Sequence, residues 1–311
     1  MDFKHIPVML YECIDNLDIK SDGIYVDGTL GGAGHSSEIV KRLNSSGKLI
    51  GLDRDDDAIA AAGARLAEFG DKVLIVKSNF KDAASVLDRL GIEEIDGVLL
   101  DLGVSSYQLD EAERGFSYMS DAPLDMRMDR SGGINAYEVV NEYDEQRLAD
   151  IIFKYGEERW AKRVAQFIVQ KRAITPIRTT LELVSVINAA IPKGARMTGG
   201  NAAKRTFQAI RIEVNGELEI LEGAIENFVK RLRSGGRLAI ITFHSLEDRI
   251  VKEKFASFAK GCTCPKEFPI CVCGAKPIAK VITTKPIIAS KDELEKNSRS
   301  KSAKLRVLEK L

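Results

Sequence analysis

Three times in the first hundred residues, a short aliphatic run ends in a turn and is followed by a helix-length segment. Ile24-Tyr-Val-Asp27 precedes a helical stretch from His35 to Leu43, and Leu49 to Asp53 precedes the Ala-rich stretch from Ala58 to Phe69. Val73 to Val76 precedes Ala83 to Leu90, and a fourth apolar run spans Ile95 to Leu102. Strands joined through helices by short connections run parallel and are covered on both faces, so this rhythm predicts a doubly wound α/β sheet. After Asp101 the rhythm stops. Gly103 to Asp129 is loop-like, and Asn135 to Asn188 carries only helical spacing, as in Leu148, Ile151, Ile152 and Tyr155. The α/β pattern returns with an amphipathic helix marked by Leu218, Leu221, Ile225, Phe228 and Leu232. Gly235-Gly236 is expected to cap that helix ahead of a strand from Leu238 to Phe243, and Gly261 to Pro286 is expected to be irregular. The expected organisation is one discontinuous α/β domain, residues 1–110 and 206–311, carrying an inserted helical domain at 111–205 that is expected to recognise RNA.

Composition narrows the class without choosing a function. The 311 residues are 44% hydrophobic and 30% charged, enough for a core and unlike a disordered chain. No apolar run approaches the ~20 residues of a membrane span, and five cysteines make no disulfide framework, which points to a reducing cytoplasm. Net charge is zero, with 46 basic and 46 acidic residues, but it is segregated: Leu183 to Ile212 holds five basic residues and no acid, as does Lys296 to Arg306. Basic stripes of this kind suit a phosphate backbone, with Lys204, Arg205 and Arg211 as candidate contacts; solvated surface is the alternative.

The densest local signal is Asp27-Gly-Thr-Leu-Gly-Gly-Ala-Gly-His35, placed directly after the first strand. Its four glycines let backbone approach a bulky ligand, and the helix that follows offers free N–H groups. Asp53, at the end of the second strand and 19 residues after Gly34, can accept both hydroxyls of a ribose. The pair points to an adenosine-containing cofactor. The dinucleotide fingerprint requires a third glycine where Ser37 stands, and no phosphate-binding Gly-Lys-Ser/Thr loop is present. An acid before the turn favours a cationic ligand, and a sulfonium fits. Phe80, after the third strand, can stack on an adenine or pack in the core. Asp101, at the end of the fourth, can serve the cofactor, act in catalysis or cap a loop. His244 follows a buried strand and can line the same edge or be structural; Trp160 reads as packing. Cys262, Cys264, Cys271 and Cys273 form a CxC-x6-CxC array that can hold a structural zinc, or none.

The glycine-turn string through Ser36, Leu100-Asp-Leu-Gly-Val-Ser-Ser106, Arg114-Gly-Phe-Ser117 and Ala122-Pro-Leu-Asp-Met-Arg-Met-Asp129 resemble the ribosomal RNA small-subunit methyltransferase H family, also called MraW. So do Tyr155-Gly-Glu-Glu158, Ala203 to Ile212, Phe243-His-Ser-Leu-Glu-Asp-Arg249 and Arg299 to Arg306, a likeness running from about Lys4 to Leu308. The resemblance implies a Rossmann-like methyltransferase with an inserted helical domain. It also implies transfer of methyl from S-adenosylmethionine to N4 of a cytidine in the decoding region of 16S ribosomal RNA. Cofactor positions carried over by it are Ala33, Gly34, His35, Asp53, Phe80, Asp101 and Gln108. Tyr107 stands where the family usually has proline, and Asn201-Ala202 where it usually has His-Pro. The strand end lacks the Asp/Asn-Pro-Pro-aromatic string of many amino-methyltransferases, so Asp101 is a catalytic candidate by analogy. A cofactor-binding subunit-assembly factor without turnover is the alternative function; a nicotinamide oxidoreductase is a more distant one.

Overall fold

The computed structural model describes residues 7–198, 202–261, 264–265, 268–270 and 273–311. The chain divides into two compact units, Met1–Gly103 with Leu218–Leu311, and Val104–Glu217. Along the first unit come α1 (Leu10–Leu17), β1 (Ile24–Asp27), α2 (Gly34–Lys41), β2 (Lys48–Asp53), α3 (Asp56–Leu66), β3 (Val73–Lys77), α4 (Ala83–Arg89) and β4 (Ile95–Asp101). The second unit holds α5 (Ser106–Asp110), α6 (Ala136–Glu142), α7 (Glu145–Gly156), α8 (Ala161–Arg172), α9 (Thr180–Ala190), α10 (Lys193–Thr198) and α11 (Ala202–Asn215). The first unit resumes with α12 (Leu221–Arg231), β5 (Leu232–Thr242), α13 (Ser245–Lys260), β6 (Ala279–Val281), β7 (Ile287–Ile288), α14 (Lys291–Lys296) and β8 (Lys304–Lys310).

The sheet runs β3-β2-β1-β4-β5-β8-β6, with β7 also on β8. Strands β1 to β5 pair in parallel and β8 runs antiparallel to β5. This is the Rossmann-like α/β architecture expected from the sequence. Alternate residues face opposite layers. Val26, Ile50, Leu100 and Ile240 pack with Phe228 of α12 and Phe255 of α13, while Tyr25, Leu49, Leu99 and Ile241 pack with Cys13, Ile14 and Ile39 of α1 and α2. The chain steps outward from β1 to β3, then returns to place β4 on the other side of β1. That reversal leaves a crevice at the carboxyl ends of β1 and β4, where open α/β sheets take ligands.

Three expectations are corrected. Gly235-Gly236 does not cap a helix: α12 ends at Arg231, and the glycines lie inside β5, where its register on β4 shifts between Ile95 and Gly97. Gly235 has φ +78, and a Cβ on Gly236 would lie 3.0 Å from the Asp96 carbonyl oxygen, so the pair makes an irregularity only glycine tolerates. The segment read as irregular contains β6, and the basic tail forms β8, whose Leu305, Val307 and Leu308 are fully buried. The boundaries also move from 110 and 206 to 103 and 217, because α11 packs lengthwise on α7. A Cβ on Gly156 of α7 would sit 2.7 Å from the Arg205 carbonyl oxygen of α11.

Within the second unit, several of the strings that carry the family resemblance are structural. Arg114, 1% exposed, donates to the Arg127 and Met128 carbonyls at 3.1 and 3.2 Å. A Cβ on Gly115 would meet the Pro123 carbonyl at 2.3 Å, and Asn215 of α11 donates to the Met126 carbonyl at 2.8 Å. Among the described residues, no helix is long and apolar enough to cross a membrane.

Candidate active site

Strands β1, β2 and β4 each end in an aspartate, so Asp27, Asp53 and Asp101 reach one edge of the sheet side by side. Asp27 is 2% exposed; its carboxylate accepts from the Thr29 N–H at 3.1 Å and from the Ser36 hydroxyl at 2.7 Å. It thereby ties the start of the glycine turn to the first turn of α2. Thr29 in turn accepts, at Oγ1, the Asp101 N–H at 2.6 Å. Gly28 has no room for a side chain, since a Cβ would lie 2.4 Å from Leu100 Cδ2. At Gly32 a Cβ would meet nothing within 4 Å, so there the turn opens outward. Ala33 holds a left-handed conformation (φ 56) at the N-cap of α2 and supplies no side-chain cap to that helix's first turn.

The three acids are held differently. Asp53 accepts from the N–H groups of Gly31 and Asp55 at 2.8 and 2.9 Å, and burial raises its pKa. Burial pushes Asp27 up to about 6 against the lowering effect of its hydrogen bonds. Asp101 is pushed up to about 8, first by burial and then by the nearby charges of Asp27 and Glu247. Its Oδ1 is buried without a hydrogen-bond partner. Its Oδ2 lies 3.8 Å from Nδ1 of His35, whose Nε2 donates to the Val8 carbonyl at 3.0 Å. An orphaned carboxyl oxygen among other acids is costly by itself, and a cationic, hydrogen-bonding ligand would relieve it. The chemistry of S-adenosylmethionine fits these residues. Asp53, which keeps unused lone pairs, would hold the ribose hydroxyls. The open turn at Gly32 would let the amino-acid end approach backbone, and the acidic edge would favour the sulfonium and ammonium charges.

Ala33, Gly34, His35, Asp53 and Asp101 therefore come together at one edge of the first unit. Phe80 begins a 3-10 turn after β3, half-buried and packed against the sheet core; its Cβ would sit 3.1 Å from a Cβ on Gly28. Gln108 lies in the other unit, where its carboxamide oxygen accepts the Ser105 N–H at 2.9 Å in the capping box of α5. His244 caps α13: its Nδ1 accepts the Glu247 N–H at 3.3 Å, while Glu247 accepts the Phe243 N–H at 2.8 Å.

Among the candidate phosphate contacts, Lys204 is exposed, and Arg205 is exposed but donates to buried Glu158 at 3.3 Å. Arg211 is corrected: it forms a two-pronged pair with Glu217 at 2.8 Å and its side chain is only 16% exposed, so its charge is spent inside the fold. Trp160 stands at the N-cap of α8, beneath the Arg159 guanidinium. Cys262 and Cys271 lie outside the described residues; among the described residues no cluster of three or more metal-binding side chains occurs. Thr29, Ser36 and Glu247 were not singled out from sequence, although the first two sit in or beside the glycine turn. Their roles depend on which strands become neighbours.

A protein-family model described as the MraW methylase family matches residues 2–311. A ribosomal RNA small subunit methyltransferase H from Finegoldia magna is 58% identical over 312 residues, covering 100% of both chains. One of the same name from Clostridium botulinum is 60% identical over 311 residues, again covering 100% of both.

Proposed function

The chain belongs to the MraW methylase family, and on that premise we propose that it transfers the methyl group of S-adenosylmethionine to the exocyclic N4 of a cytidine. The cytidine lies in the decoding region of 16S ribosomal RNA, presented by the small ribosomal subunit. Relatives about 60% identical along the whole chain carry the small-subunit RNA methyltransferase name, which supports a ribosomal RNA substrate. The observation that carries the residue assignment is the orphaned Asp101 Oδ1 at the end of β4.

When bound, S-adenosylmethionine supplies a methyl group activated by its sulfonium. Transfer is an in-line displacement, so the protein contributes positioning and electrostatics. The N4 lone pair of cytosine is delocalised into the ring, and the nitrogen gains positive charge as its bond to methyl forms. Asp101 accepts a hydrogen bond from that amino group and takes the proton it sheds. In the free protein Asp101 holds a proton up to about pH 8. A cation beside it favours the carboxylate, so cofactor binding would convert Asp101 into the base the reaction needs. Asp27 positions the glycine turn through Thr29 and Ser36 and stays buried behind it. Asp53 orients the nucleoside.

The test is incubation with methyl-labelled S-adenosylmethionine and small subunits lacking their native methyl marks, followed by digestion to nucleosides and mass spectrometry. Labelled N4-methylcytidine is expected. Label on another nucleoside would overturn the N4 assignment. Cofactor binding with no label on any nucleoside would favour an assembly factor that binds without turnover.

A further inference from the structure

We propose that the exposed face of α8, with the cleft at its C-terminal end, binds single-stranded RNA, phosphates along the helix and one unstacked base in the cleft. The proposal rests on the ribosomal RNA reading above and assigns that substrate a contact surface on the second unit, Val104–Glu217.

From Arg159 to Arg211 the chain carries eleven lysines and arginines against one acid, Glu182. Several of these cations are spent internally: Arg172 donates to the Val140 and Tyr143 carbonyls, Arg205 to Glu158 and Arg211 to Glu217. Arg159, Lys162, Arg163 and Lys171 are exposed, and none is ion-paired with a described residue. Lys162, Arg163, Gln166 and Gln170 recur at helical spacing on one face of α8, with Arg159 just ahead of its first turn. The twelve residues of α8 span about 18 Å. This face offers cations and amides with no acid among them. A phosphodiester strand meets those needs, whereas an ordinary solvated helix face mixes both signs.

The stripe runs into a cleft of about 510 Å3 between α8 and α9. Phe167, Ile174, Pro176 and Val186 supply apolar walls, and Gln170 and Ser185 supply polar edges. The volume lies within the ~300–1,000 Å3 of small-ligand sites. Ile174 is 83% exposed at the rim, while Arg163 lies over the Phe167 ring with 5.3 Å to its centroid. Unpaired bases are held on RNA-binding surfaces by stacking on aromatic rings and guanidinium planes, and Phe167 and Arg163 supply one of each at this cleft. Glu182, the acid in the lining, accepts the Arg178 and Thr179 N–H groups at the start of α9.

The experiment measures fluorescence anisotropy of a labelled twelve-nucleotide single-stranded RNA lacking cytidine, titrated with the intact protein over a salt series. Replacing Arg159, Lys162 and Arg163 together by Gln should weaken binding at least tenfold. It should also lower the slope of log affinity against log salt by about 2, at roughly 0.7 per phosphate contact. Ile174→Ser should weaken binding about three- to tenfold and leave the slope unchanged. These positions are exposed, so affinity for S-adenosylmethionine serves as the folding control and should not change. Unchanged RNA affinity in the triple variant would overturn the proposal. So would equal binding of an RNA duplex of the same length, or of a twelve-residue polyglutamate, the latter pointing to an acidic protein partner. No methyl transfer is read, so a failed labelling of small subunits and a failed binding result stay distinguishable.

Discussion

Asp101 combines a buried, unpartnered oxygen with two like charges nearby, an arrangement that costs stability and is kept where function requires it. Its folded pKa, about 8, lies above that of an unfolded aspartate. The free energy it contributes to folding is therefore fully present at acid pH and lost as pH rises from about 4 to about 8. Asp101→Asn should raise the Tm of the cofactor-free protein at pH 8 and flatten its fall with pH, measured by scanning calorimetry. The same substitution should lower turnover at saturating cofactor by ~100-fold or more, the usual contribution of a positioned base; full turnover would remove Asp101 from the chemistry. A second consequence concerns the ligand. S-adenosylmethionine carries a sulfonium charge that S-adenosylhomocysteine lacks, so only the former strongly favours ionised Asp101. Affinity for S-adenosylmethionine should climb toward pH 8 with proton release, while that for S-adenosylhomocysteine climbs less. Calorimetric titrations in buffers of different ionisation enthalpy would read both.

At the scale of elements, the glycine turn is the piece most visible in sequence, yet its glycines serve different ends. Gly28 lets β1 pass Leu100 of β4, Gly34 leaves room for Pro7, and Gly32 faces open space. Gly28→Ala should cost about 1–3 kcal/mol through overpacking and weaken cofactor binding, whereas Gly32→Ala should cost far less. Urea unfolding of the two variants separates close packing from chain flexibility. The structure adds the helix starts: Asp55, Asn135, Asp144 and Thr179 each accept an N–H from the first turn that follows. The Gly235-Gly236 pair was misread for a physical reason: glycine after an amphipathic run usually ends a helix, and only the packing of β5 against Asp96 of β4 reveals an irregular strand.

Across the whole molecule, the C-terminal residues matter more than their charge implied. Strand β8 enters the sheet between β5 and β6, and Arg306 pairs with Asp248 at the start of α13 at 2.6 Å, with Lys304 at 3.1 Å from the same carboxylate. Burial would raise the pKa of Asp248, but these cations more than offset it and hold it low. Its contribution is present above the unfolded value near 4 and lost as pH falls through the lower folded value. Arg306→Leu should cost about 2 kcal/mol, less than the ~3–5 kcal/mol of a fully sequestered pair because Lys304 remains. The loss should shrink below pH 3, as thermal unfolding across pH would show.

The sequence by itself determined the strand-turn-helix rhythm, the glycine turn after β1 and the acids that close β1, β2 and β4. Those are written in side-chain period and turn chemistry over a few residues, so they can be read without knowing the fold. The tertiary structure decided the partnerships. It placed β4 beside β1, and so set Asp101 against Thr29 and His35; it turned Arg211 inward onto Glu217 and left Lys162, Arg163 and Lys171 of α8 without an ion pair among the described residues. It also drew the basic tail into the sheet. Which charge finds a partner depends on chain segments far apart in sequence being brought together, and burial then fixes the energetic weight of each pairing. For that reason the three aspartates look alike in sequence, and only the fold distinguishes the one whose buried oxygen no donor reaches.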